Sequence, residues 1–142
     1  MSRNRFTRIL LAVVITVTAI TAIICTVSAN EPDGSTPEKI TEFISECGYS
    51  VSSPVTKAIT IPSQFTDVYE NYNALQKKQG FDLSRHKGQS AVSYTFKLIV
   101  YVDEKGNIDH DVQIHIIVCD GKIVAADIAS TKLDGFMEEL RK

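Results

Sequence analysis

The chain has 142 residues, a formal net charge of −2 and no Trp. Three arginines lie in the first eight residues, and the 12 remaining Lys and Arg face all 17 Asp and Glu, so the part after residue 29 is near −5. An acidic domain without a basic stripe argues against nucleic acid as the partner, and the missing indoles leave no Trp platform for carbohydrate.

Arg3, Arg5 and Arg8 form a basic head over residues 1–8, and Ile9 to Ala29 follows as 21 residues without a charge. At about 1.5 Å per helical residue this run spans roughly 30 Å, enough to cross a hydrocarbon core. Its 11 Ile, Leu and Val residues favour insertion by very roughly 3–7 kcal/mol before the threonines are subtracted. The arginines should stay in the cytoplasm, so the lipid bilayer is the expected partner of 9–29 and the rest of the chain is expected outside. Two fates are open. The segment is kept as a single-pass anchor, or it is a signal peptide cut after Ala29, where Val27-Ser28-Ala29 has the small-residue pattern of a cleavage site. A lipid on Cys25 is disfavoured by the bulky Ile24 before it.

Residues 30–36 read as a polar linker, and 37–142 as a single α+β domain outside the membrane. A helix starts at Ser35-Thr36-Pro37-Glu38, which supplies a cap and a proline for the first turn. Ile40, Phe43, Ile44 and Cys47 make its apolar stripe, and Gly48 stops it. A strand near a sheet edge is expected at about Val55 to Ile61, because Pro54 weakens the residues before it. A second helix runs roughly from Phe65 to Gln79. Phe65, Val68, Tyr69, Tyr72 and Leu75 are its stripe, so Tyr69 and Tyr72 are expected in the core. After Gly80, the loop carrying Arg85, His86 and Lys87 joins Lys77 and Lys78 as the basic cluster of the domain.

A three-stranded antiparallel meander should follow. Val92 to Val102 alternate, Asp103 to Asn107 turn the chain, and Val112 to Val118 return. Asp120-Gly121 is a strong two-residue hairpin signal. It pairs Cys119 with Lys122, Ile116 with Ala125 and Ile114 with Asp127, which places a carboxylate beside the apolar face in need of a partner. Phe136, Met137 and Leu140 suggest a short final helix over Phe136 to Lys142. The fold expected is therefore helix–strand–helix and then the meander, with the helices on one face, behind the transmembrane or signal helix.

The stretch from Tyr69 to Gly88, YENYNALQKKQGFDLSRHKG, together with Ser93-Tyr94-Thr95-Phe96-Lys97, Val124-Ala125-Ala126-Asp127 and Leu133-Asp134-Gly135-Phe136-Met137, resembles a bacterial family of extracytoplasmic proteins, the domain of unknown function 4830. The resemblance covers roughly Gly48 to Leu140. It departs from the family pattern at Ala125-Ala126, where glycines are expected, and at Asp109-His110-Asp111. It implies a compartment and a fold extent, and no activity.

Chemistry-bearing patterns are sparse. Asp109, Asp111 and His115 share a strand face, but about 3.3 Å per residue puts Asp109 and His115 about 20 Å apart, too far to share an ion. Cys47 and Cys119 are expected on opposite sides of the sheet and not bridged. No cofactor, metal or catalytic residue is expected. The reading is a non-catalytic binding or regulatory module of the cell envelope. Its partner-binding surface is Lys77, Lys78, Arg85, His86 and Lys87, suited to an envelope protein or an anionic polymer. The alternative is a small envelope hydrolase using Cys47 or Asp109/His115.

Overall fold

In the computed structural model, which describes residues 31–141, five antiparallel strands form one sheet in the order β1-β2-β3-β4-β5. They are β1 (Val55–Thr60), β2 (Ser90–Lys97), β3 (Val112–Cys119), β4 (Lys122–Ser130) and β5 (Met137–Glu139). Two α-helices accompany them, α1 (Pro37–Glu46) and α2 (Asp67–Lys78), with a short 3-10 turn at Leu83–His86. No helix among the described residues is long and apolar enough to cross a membrane. The expected leader, 9–29, lies outside them.

The first helix follows its local signals. Thr36 caps it by accepting Lys39 N–H at 3.4 Å, Pro37 opens it, and Ile40, Phe43 and Ile44 are buried. That stripe packs on Phe96, Ile114, Ile116 and Ile128, the even-numbered face of the sheet. The segment read as a linker is bonded to the sheet: Pro32 O accepts from Ile123 N–H and Gly34 N–H donates to Gly121 O, each at 2.9 Å. The hairpin forms at Asp120-Gly121 with both residues at positive φ, 49° and 72°, as a type I′ turn requires.

Four expectations are corrected. The sheet has five strands instead of a three-stranded meander: the expected edge strand, Val55–Thr60, joins β2, and Met137–Glu139 adds an unexpected strand on Asp127–Ala129. Phe136, Met137 and Leu140 fit one face of a helix, yet the outer edge of β4 has unpaired backbone groups there, and pairing them outweighs a single helical turn. The helices do not share a face. α1 covers the even face, whereas α2 lies at the β4 edge with Tyr72 packing on the opposite, odd face near Ala125 and Ile117.

The fourth correction is register. Cys119 pairs with Lys122 as expected, but a bulge at Val124 sets Ile117 opposite Ala125. One extra residue moves every later side chain of β4 to the other face. Ile128 therefore enters the core opposite Ile114, and Asp127 meets His115.

The roll of α2 is also unexpected. Its buried residues are Asn73 and Gln76, followed by Gln79 just past its end, while Val68 is 76% exposed and Tyr69 37%. The amides supply what β4 lacks. Gln76 Oε1 accepts from Ala126 N–H at 2.9 Å, and Gln79 Nε2 donates to Ala126 O and to Gln76 Oε1. Asn73 Oδ1 accepts from Leu83 N–H at 2.8 Å and fixes the loop after the helix. The outer edge of β4 is thus served in turn by Pro32, by two glutamines and by β5.

Gln79→Leu should leave Ala126 O and Arg141 N–H without their side-chain partner. The expected destabilisation is about 1–3 kcal/mol, read as a lower urea midpoint with unchanged m-value. A shift within experimental error would show that the amide is dispensable.

Candidate functional site

The bulge and the roll of α2 meet at one place on the odd face. Asp127, 1% exposed, accepts from Tyr72 Oη at 2.7 Å through Oδ1 and bonds His115 Nδ1 at 2.9 Å through Oδ2. The carboxylate thereby joins helix α2 to strands β3 and β4. Burial first, and then the charge of Asp127, push the Tyr72 phenol well above its ordinary value. Tyr72 is therefore a standing donor. The hydrogen bond His115 donates to Asp127 raises the His115 pKa and outweighs the opposing effect of burial. With Nδ1 engaged, Nε2 is the ring nitrogen left for another group, on a side chain 31% exposed.

Beside this relay runs an apolar groove of about 540 Å³, lined by Val68, Tyr69, Asn71, Tyr72, Leu75, Ile117 and Met137. His115 is not part of that lining, but sheet register places it next to the groove, two residues from Ile117 on the same face. Ile117 belongs to the row Ile117–Ala125, and Met137 to the row Gln113–Ala129–Met137. The row Thr95–His115–Asp127–Glu139 lies between them. Tyr69 packs against Phe65, the two rings tilted at 5.5 Å between centroids. A surface helix normally turns such residues inward. Here the buried amides hold them at the groove.

The residues expected from the sequence are distributed differently. Each member of the basic cluster has an internal partner. Lys77 and Arg85 approach Asp82 at 3.9 and 3.8 Å, and Lys78 pairs with Glu139 at 3.2 Å. His86 bonds Gln89 and Glu31, and Lys87 lies 4.3 Å from the centre of the Phe65 ring. Asp109 is held by Lys132 at 2.9 Å, so the carboxylate beside His115 is Asp127 instead. Cys47 sits with Phe43, Glu46 and Arg141 around a hollow of about 220 Å³. Burial pushes its thiol pKa up against the lowering effect of Arg141, the reverse of what a reactive thiolate needs. Cys119 is a free, buried thiol that donates to Gln89 Oε1 at 3.0 Å.

Sequence reasoning missed Asn73, Gln76 and Gln79, although three amides spaced by three residues were visible as one side of a helix. It also missed the Asp127–His115 pair, which needs the bulge. The demand of Asp127 for a partner was legible, and the partner was not. Ala125 and Ala126, in place of the expected glycines, are both fully buried.

The raised His115 pKa gives a signed pH dependence. Its contribution to stability should be fully present below its ordinary value of about 6.5 and lost as pH rises through the elevated folded value. Unfolding by guanidinium between about pH 6 and pH 9 should show this loss in the parent and not in His115→Gln. An equal pH profile for the two proteins would contradict it.

No curated protein and no solved structure matches the chain. Residues 43–128, more than half of the chain, match the family described as Domain of unknown function (DUF4830). The match takes in the relay and the α2 side of the groove, and it ends before β5, which supplies Met137. On that span, this chain belongs to the DUF4830 family.

Proposed function

We propose that this chain is a non-catalytic binding module of the cell envelope, held at the membrane by residues 9–29 or released after Ala29, with the groove beside α2 as its contact surface. The observation that supports it is the inverted helix. A helix that buries Asn73 and Gln76 and leaves Val68 and Tyr69 exposed keeps apolar area in water, and such patches mark contact sites. Met137, 52% exposed, extends that area from β5. The basic cluster is a weaker candidate, because Lys77 and Arg85 already approach Asp82, Lys78 pairs with Glu139, and His86 bonds Glu31.

A benzophenone amino acid substituted at Val68 in the full chain should cross-link a specific ligand or partner in intact cells. Adding Tyr69→Ser and Met137→Ser should abolish the product, and replacing Lys77, Lys78, Arg85 and Lys87 together should not. The opposite pattern would assign contact to the basic cluster and reject the groove.

A further inference from the structure

The dimensions of the groove restrict its occupant. About 540 Å³ lies within the range of roughly 300–1,000 Å³ typical of small-ligand sites. A stable protein interface covers about 800 Å² per partner, far more than the seven side chains here present. Val68, Tyr69 and Leu75 of α2 and Ile117 and Met137 of the sheet supply the apolar lining that a slender apolar body would contact.

Beyond the groove, the same sheet face carries lysines on β1 and β2. The four long strands, β1 to β4, contain one carboxylate, Asp127, and both of its oxygens are engaged by Tyr72 and His115. Pairing places Lys97 opposite Gln113, two residues from His115 on the same face. It is a diagonal neighbour at about 7 Å. Lys57 pairs with Ser93, which pairs with Ile117, so Lys57 stands on that face two strands from β3, about 10 Å across the sheet. Both lysines are exposed.

We propose that the groove binds a single-chain amphiphile with an anionic head, the chain lying along α2 and the head meeting His115 Nε2 with Lys97 and Lys57 beyond it. This rests on the groove being the contact surface. His115 bonds Asp127 on β4; the polar and charged groups around that pair are Glu139 on β5, Tyr72 and Lys78 on α2, Thr95 and Lys97 on β2, and Lys57 on β1. Lys78 offsets Glu139 at 3.2 Å. Asp127 and a bound anion both favour the imidazolium form. Binding of an anionic head therefore takes up a proton, and affinity falls as pH rises.

The full chain in phosphatidylcholine vesicles is exposed to three twelve-carbon probes carrying a diazirine at the chain end, with a carboxylate, a phosphate or an alcohol head. Labelled residues are mapped by mass spectrometry. Either anionic probe should label the groove at Tyr69, Leu75 or Met137 about tenfold more than the alcohol, and the stronger of the two identifies the head. Labelling by that probe should fall between about pH 6 and pH 9 in the parent and stay flat in His115→Gln. Lys57→Gln with Lys97→Gln, two exposed positions, should lower anionic labelling severalfold without changing that by the alcohol, and this holds the test open if the histidine variant misfolds. Groove labelling that is equal for all three heads overturns the anionic-head assignment and leaves the groove reading intact. Absence of groove labelling by every probe overturns the amphiphile, and the Val68 cross-link then decides whether the groove is a contact surface at all.

Discussion

Two glutamine side chains stand where a neighbouring strand would be. Ala126 points its N–H and C=O out of the sheet, and β5 is too short to reach them. An unpaired buried backbone pair costs a few kcal/mol, so something must supply a donor and an acceptor there. Gln76 and Gln79 do so from the end of α2. Side-chain amides are suited to the task because each carries both a donor and an acceptor, as a peptide unit does.

The rest of the odd face follows from that contact. With Gln76 and Gln79 on Ala126, the helix cannot roll its apolar stripe inward. Tyr72 is carried over the sheet to Asp127, and Val68 and Tyr69 are left at the rim. The bulge at Val124 acts in the same direction. It turns Ile128 into the core and Asp127 toward Tyr72 and His115, which solves the packing of one and the charge of the other together. Among the described residues, the buried Gln76 Nε2 has no hydrogen-bond partner. That is a cost borne at the joint itself, and it marks the position as constrained by the edge of β4 more than by its own solvation.

Much of the fold was legible from local chemistry. The cap, the proline and the i, i+3, i+4 stripe defined α1, and Asp120-Gly121 fixed the hairpin. Pro54 pointed to an edge strand where β1 lies. What escaped was non-local. Alternation from Val92 to Val102 suggested one long strand, but β2 ends at Lys97. The spacing of Phe136, Met137 and Leu140 suggested a helix, because nothing in that segment reveals the open edge of β4 that recruits it. Hydrophobic periodicity assigned Tyr69 to the core for the same reason, since it cannot register a backbone vacancy 50 residues away. The basic residues were visible as a cluster, but the acids that meet them come from β5, from the start of the domain and from the loop at Asp82.

The central claim is that α2 is held by hydrogen bonds to the edge of β4 and that this fixes its apolar residues outward. Amide hydrogen exchange at Ala126 tests it most directly. The Ala126 N–H should be protected as strongly as that of its neighbour Ile128 within the β4–β5 ladder, and Gln76→Ala should lower its protection while leaving that of Ile114 in the core unchanged. Rapid exchange at Ala126 in the parent protein, at the rate of an open strand edge, would contradict the account.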